Sequence, residues 1–271
     1  MALKLMYITN RPDVAQIAEA SGVDRIFVDM EYIGKDERQK GMDTVQSHHT
    51  IDDVKRIAES LSKAELLVRC NPIHNNSKSE IDDIIVSGAK VIMLPYFKTI
   101  DEVKYFVKCV NGRCRVSLLV ETPEAVDILD EIVLLDGIDE IHFGLNDLHL
   151  GYHKKFMFEL LSDGTVERLC RKVQARNIPY GFGGIAGLGQ GMLPAEKIIK
   201  EHYRLGSTMV ILSRSFCNVE KVSNIGEIAL TFVNGVRALR EYEEEVENHI
   251  KFFEQNKDEI KAIVEQIVNN K

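Results

Sequence analysis

"AELLVRCNPIHNNSKSEIDDIIVSGAKVIMLPYF", Ala64 to Phe97, carries the pattern that decides the fold. Its first run, "AELLVRCN", is apolar through Leu66, Leu67 and Val68 without alternation. "SKSEIDDIIVSG" then takes on helical spacing, and "KVIMLPYF" returns to a continuous apolar run. Short runs of this kind suit strands covered on both faces, which is the condition of a parallel sheet whose crossovers are helices.

The same unit extends in both directions. Toward the N-terminus, "LKLMYIT" reads as a strand. "PDVAQIAEASG" reads as a helix with Pro12 near its start and Gly22 at its end, and "RIFVDME" as a second strand. A long charged loop leads to the helix "TIDDVKRIAESLS", where Thr50 can cap and Asp52 and Asp53 suit the positive end of the helix dipole. Toward the C-terminus, strands "RVSLLVET", "EIHFGLND", "PYGFGGIA" and "TMVILSRSF" alternate with helical segments. "PEAVDILDEIVLL" is read as one helix. Eight strand–helix units in 271 residues predict an α/β fold, a (β/α)8 TIM barrel, with a doubly wound open sheet as the alternative. In both folds ligands bind at the C-terminal ends of the strands.

The tail has a different period. From Val236 to Ile267, eight of ten positions spaced by three or four residues are apolar, with Glu243 and Lys257 the exceptions. The expectation is a barrel over residues 1–235 and a helical extension over 236–271. The extension is read as an oligomerisation element of a homo-oligomer, and packing against its own barrel is the plainer alternative.

Composition narrows the partners. The net charge of −8 argues against nucleic acid, while a local cluster of positive charge could still hold an anionic substrate. No apolar run is long enough to cross a bilayer, so no membrane association is expected. "MALKLMYITNRPDVA" lacks the apolar core of a secretory leader, and the five cysteines are odd in number with no C-x-x-C. Both point to reduced thiols in a cytoplasmic protein.

The strand ends gather chemistry. Asp29 and Glu31 end the second strand, Arg69 the third, Glu121 the fifth, and Asn146 and Asp147 the sixth. His48 and His49 lie in the loop after the second strand. Each has a bland reading. Glu121 could belong to a helix start beside Pro123, Asp147 could cap a turn, Arg69 could pair structurally, and the histidines could be solvated. Together, two carboxylates with waters suit Mg²⁺ or Mn²⁺, with positions open for the carboxylate and keto oxygen of a 2-oxo acid. An arginine would stabilise the enolate as charge grows on its oxygen. No lysine ends a strand, which disfavours imine chemistry. The histidines suit acid–base work better than metal ligation, because adjacent loop residues do not easily share one ion. "HLGYH" (His149 to His153) has the right spacing but no evident helix. "GFGGIAGLGQG" (Gly181 to Gly191) matches no phosphate-loop pattern. It could still offer backbone amides near Gly184 to an anionic substrate end, or serve as a lid or as tight packing.

Taken in order, "FVDME…HHTIDDV", "LLVRCNP", "GAKVIMLPYF", "LLVETPEAV" and "HFGLNDLHLGYH" resemble the HpcH/HpaI aldolase/citrate lyase family of the phosphoenolpyruvate/pyruvate barrel superfamily, from about Asp24 to Cys217. The resemblance implies a metal-dependent class II aldolase or lyase acting on a 2-oxo acid and an aldehyde. It implies Glu121 and Asp147 as metal ligands, Arg69 as the enolate partner, Asp29 as a supporting acid, and backbone amides at Asn146 and Asp147 for the substrate carboxylate. It also implies hexamers or dimer-based assemblies that exchange C-terminal helices. Two positions depart from the pattern. Tyr32 stands where a histidine often follows the acid, so His49, with His48 second, becomes the expected base across an insertion. The family's aspartate partner of that histidine falls on Val86, which would leave the base without an orienting carboxylate. A citryl- or malyl-CoA-type lyase and a non-catalytic barrel that binds 2-oxo acids are the rival readings.

Overall fold

The computed structural model describes residues 2–34, 49–248 and 252–270. Eight strands close into one parallel barrel in chain order: β1 (Lys4–Ile8), β2 (Arg25–Asp29), β3 (Glu65–Arg69), β4 (Val91–Leu94), β5 (Arg115–Val120), β6 (Glu140–Phe143), β7 (Tyr180–Ile185) and β8 (Met209–Leu212). β1 pairs with β8 through Lys4↔Met209 to Tyr7↔Leu212, which removes every sheet edge. The expected TIM barrel is the observed fold.

The outer layer follows from capping and packing. Helix α1 spans Pro12–Ala20, α2 Ile51–Ser60, α3 Ser77–Val86 and α4 Ile100–Val110. Thr50 opens α2 and Thr99 opens α4 with reciprocal capping boxes to Asp53 and Glu102. The segment read as one helix after β5 is two short ones, α5 (Pro123–Asp127) and α6 (Leu129–Ile132). Thr122 and Pro123 start the first, and Ile128 leaves helical geometry at φ −95° and ψ 7°. After β6 come α7 (Leu145–Gly151), α8 (Glu159–Ser162) and α9 (Thr165–Gln174). α10 (Ala195–Leu205) precedes β8.

The tail is α11 (Ile225–Asn248) followed by α12 (Phe252–Asn269). α11 runs unbroken through residue 235, where a boundary was expected. α11 packs on α1, and α12 packs on α10 and α8. Val236, Leu239, Glu243, Val246, Ile260 and Val264 of the stripe are all buried. The stripe read as a subunit contact is therefore covered by its own barrel, because the second tail helix folds back instead of projecting. Ile250 lies outside the described residues. Glu243 interrupts the apolar series for a reason: its Oε1 accepts the Leu3 N–H at 2.7 Å and the Tyr203 hydroxyl at 3.1 Å, and its Oε2 accepts from Arg240 at 2.7 Å. Asn256 secures α12 by donating to Glu201 Oε1 and to the Lys197 carbonyl, both at 3.0 Å.

The barrel interior is layered, as expected when inward positions of alternate strands stack. Met6, Phe27, Leu67, Met93, Leu119 and Met209 form an apolar plug. Beneath it, the fully buried Arg25 donates from Nη1 to Glu140 Oε1 at 2.6 Å, from Nη2 to Glu140 Oε2 at 3.0 Å and to Glu65 Oε2 at 3.0 Å. Burial opposes ionisation of Glu65, but the hydrogen bond and charge of Arg25, with Lys4 and Arg115, outweigh it and hold the carboxyl down at about 2.

A buried ion pair costs most when only one half is removed. Arg25→Met should lower the free energy of unfolding in urea by about 3–5 kcal/mol. The double variant Arg25→Met/Glu140→Met should recover most of that loss. Equal destabilisation by single and double variants would show that the layer is not held by this pair.

Candidate active site

The C-terminal rim opens into a cavity of about 530 Å³. A hollow of about 540 Å³ at the opposite end of the barrel is lined by Lys90, Cys114, Arg115 and Asp139. Burial pushes the Cys114 thiol up to about 11, which removes it as a nucleophile. Barrel enzymes act at the C-terminal face, and the rim cavity is the one walled by the residues singled out in the sequence.

Asp29 organises one wall. Its Oδ1 accepts Arg69 Nε at 2.8 Å and its Oδ2 accepts Arg69 Nη2 at 2.7 Å, a fork-to-fork pair between neighbouring strand ends. Oδ1 also accepts the Glu31 N–H at 3.2 Å, and Glu31 Oε2 lies 3.3 Å from Arg69 Nε. Burial works against the charge on Arg69. The charges of Asp29 and Glu31, the hydrogen bond to Asp29 and the charge of Glu121 outweigh it and raise its pKa well above the ordinary value. Asp29 and Glu31 use Nε and Nη2, which leaves Nη1 as the guanidinium nitrogen these acids do not engage. The Phe27 ring lies under the guanidinium, 5.5 Å from Cζ to centroid.

His49 also meets Asp29, through the backbone: the Asp29 N–H donates to His49 Nδ1 at 3.0 Å. This contact helps to orient the ring. Val86, where the acid partner of that histidine would fall, is 84% exposed on the barrel surface. Tyr32 is also exposed, and its N–H goes to Asn71 Oδ1 at 3.0 Å, so position 32 turns outward while His49 stands at the cavity wall. An Nδ1 that accepts a hydrogen bond keeps the neutral ring's proton on Nε2. With Nδ1 accepting from Asp29, a neutral His49 carries its proton on Nε2. Acting as a base through Nε2 would set an Nδ1–H against the Asp29 N–H. His48 lies outside the described residues.

The facing wall comes from β5 and β6. Glu121 is 3% exposed and accepts the Tyr96 N–H on Oε1 at 3.0 Å. Gly144 makes room for it: a Cβ there would stand 2.7 Å from Glu121 Cβ and 2.8 Å from Oε2. The sequence placed Asn146 and Asp147 at a strand end. They instead occupy the first turn of α7, because β6 stops at Phe143 and Gly144 turns the chain. Asp147 Oδ1 is shielded from solvent and has no hydrogen-bond partner. Glu121 and Asp147 both line the main cavity and a smaller hollow of about 370 Å³ beside it, so they share one partition. An orphaned carboxylate oxygen beside a second buried carboxylate fits a hard divalent cation completed by water or ligand oxygens. Among the described residues no group of three or more His, Cys, Asp or Glu gathers for a metal, so the fit is to a two-carboxylate site.

Gly184 lines the cavity on the β7 side, beside a register shift in the β7–β8 pairing. His142, not singled out in the sequence, lies within the lumen. Its Nε2 meets the Gly183 carbonyl at 3.1 Å, and Nδ1 is buried without a partner. Burial pulls its pKa down to about 4, with Arg25 and Arg69 adding to the fall and Gly183 and Glu140 opposing it. A signal was present: Glu140, His142 and Gly144 share the period-two face of β6 that turns inward.

The family model described as HpcH/HpaI aldolase/citrate lyase matches residues 4–161. No curated protein matches the chain in sequence. The fold is similar to an HpcH/HpaI aldolase from Desulfitobacterium hafniense DCB-2 (TM-score 0.60, 15% identity, 78% of this chain and 86% of that one). It is also similar to an HpcH/HpaI aldolase/citrate lyase family protein from Burkholderia cenocepacia J2315 (TM-score 0.63, 15% identity, 84% and 95%). Citrate synthase SbnG is similar at TM-score 0.60 and 16% identity, covering 83% of this chain and 93% of that one. At such identities the structural likeness shows the barrel alone.

Two outcomes follow from this geometry. Gly144→Ala should displace Glu121 and weaken binding of a divalent cation, measured by calorimetry, while the far-ultraviolet spectrum stays unchanged. His142 is neutral in the fold at pH values where the unfolded chain's histidine, near 6.5, already binds a proton. Its stabilising contribution is complete above about 6.5 and is lost as pH falls toward about 4, some ~3 kcal/mol over the window. Thermal unfolding followed from pH 7 to 4 should show this slope, and His142→Phe should flatten it.

Proposed function

The chain belongs to the HpcH/HpaI aldolase/citrate lyase family, and on that premise we propose that it is a divalent-metal-dependent class II aldolase. It makes or breaks the carbon–carbon bond between a pyruvate-like 2-oxo acid enolate and an aldehyde. The observation that carries this reading is the unpartnered Asp147 Oδ1 sharing a wall with Glu121, in the same cavity as Arg69. Glu121 and Asp147 would hold Mg²⁺ or Mn²⁺, which supplies Lewis-acid polarisation of the 2-oxo group.

The chain's own residues do the rest. Arg69 keeps its guanidinium charged and fixed by Asp29, so it meets the growing negative charge on the enolate oxygen without reorganising. The first-turn amides of α7, at Asn146 and Asp147, are not needed by the helix itself and suit the substrate carboxylate. His49 presents Nε2–H and polarises a carbonyl oxygen as a neutral imidazole, the role that an Nδ1 acceptor contact permits. In the condensation direction a proton leaves the methyl of the 2-oxo acid and its carbon bonds to the aldehyde carbon. The aldehyde oxygen gains a proton, which water carries.

Pyruvate methyl exchange in D2O, followed by proton NMR with added Mg²⁺ or Mn²⁺, tests the reading. Exchange should require the cation, stop on chelation and vanish in Glu121→Ala. Arg69→Lys should slow it by roughly 10²–10³-fold, because the fork that fixes the charge is lost. Full exchange in Glu121→Ala would remove the metal assignment, and full exchange in Arg69→Lys would remove the role given to the guanidinium.

A further inference from the structure

Tyr96 has a backbone that its residue type does not favour. Its φ is +47°, in the left-handed region where side chains other than Asn and Asp are uncommon. Among the described residues the other non-glycine positions with positive φ are Asn111, His153 and Asn177. Two of those are asparagines, which tolerate the region. Bulky residues held this way persist where the surroundings require it, often at functional sites.

The requirement is visible in what the strained unit does. The Tyr96 N–H donates to Glu121 Oε1 at 3.0 Å. On the other side, the missing Cβ of Gly144 leaves the space into which Oε2 fits. The carboxylate is thus set from both ends, by a backbone donor on one oxygen and by a glycine gap at the other. Glycine at position 96 would meet the backbone demand without strain, so the tyrosine ring has its own place. It lines the 370 Å³ hollow that Glu121 and Asp147 also line, with Lys98 Nζ 5.4 Å from the ring centroid.

We propose that Tyr96 is a positioning residue for Glu121: its left-handed backbone aims an amide at Oε1 and so fixes the orientation in which the carboxylate meets the cation. Outer hydrogen-bond partners of metal ligands fix ligand orientation in this way. The inference rests on the carboxylate pair assigned in the preceding section. It adds a residue outside that pair whose contribution is made by the main chain.

The test replaces the Tyr96 amide by an ester in the full-length chain, using the hydroxy-acid analogue of tyrosine, which keeps the ring and deletes only the N–H. Mn²⁺ affinity, read by calorimetry and by the electron-spin signal of free Mn²⁺, should fall about 10- to 100-fold. A second pair of variants covers failure of the ester chain to fold. Tyr96→Gly keeps both the N–H and the conformation and should bind Mn²⁺ as the wild type does. Tyr96→Val, forced out of the left-handed region, should bind weakly. Wild-type affinity in the ester chain, or equal affinities in the glycine and valine variants, would overturn the assignment of Tyr96 alone. No Mn²⁺ binding by the wild-type chain would overturn the metal reading and this inference together.

Discussion

A guanidinium closed into a barrel rim must find a partner, and the site is arranged around the one that Arg69 finds. Asp29 engages through both carboxylate oxygens and through its amide. The oxygens fix Arg69 and receive the Glu31 N–H, and the amide fixes His49. One residue at the end of one strand thereby sets the place of the guanidinium that lines the cavity and the tautomer of a neutral imidazole beside it. Removing the Asp29 side chain would do more than lower local charge. It would leave a largely buried arginine with its main counter-ion gone and the charges of Glu31 and Glu121 to replace it.

The wall across the cavity obeys a different constraint. Glu121 depends on main-chain geometry at two neighbours, the left-handed unit at Tyr96 and the absent Cβ at Gly144. Side-chain chemistry alone would not single out either position. The apolar plug below, and the Arg25 layer below that, separate this rim from the far end of the lumen. His142, on the rim side of that plug, stays neutral because it is buried, and it contributes a pH-dependent part of stability without needing any part in the chemistry.

How much of this could be read in advance depends on the range of the interactions involved. The barrel was legible because burial on both faces writes itself into each strand as a continuous apolar run, as in Leu66–Val68 and Val91–Leu94. The gathering of Asp29, Arg69 and Glu121 followed from strand ends alone, since the topology brings all strand ends to one rim, and Asp147 joins them from the helix that begins just past β6. What escaped was set by local geometry or by distant packing. The break at Ile128 divides a segment whose apolar spacing reads as unbroken. The start of α7 takes Asn146 and Asp147 out of the strand because Gly144 turns the chain one residue past Phe143. The tail stripe has the period of a subunit seam, yet its covering surface is α1, α8 and α10 of the same chain, which no repeat within the tail encodes. The orientation of His49 is made by an amide, and every residue has one, so no residue type announces it.

The bond from the Leu3 N–H to Glu243 ties the third residue of the chain to the last long stretch of its helices, next to the seam where the first strand lies against the last. A ribosome releases the second of these partners 240 residues after the first. Until β8 emerges, the outer flank of β1 is an open row of amides and carbonyls, and Leu3 has no acceptor until α11 follows. Between the emergence of β1 and that of β8 the nascent polypeptide is therefore an unclosed sheet, exposed to pairing with foreign strands. Shielding by chaperones or by the translation machinery matters most before β8 and α11 have been made.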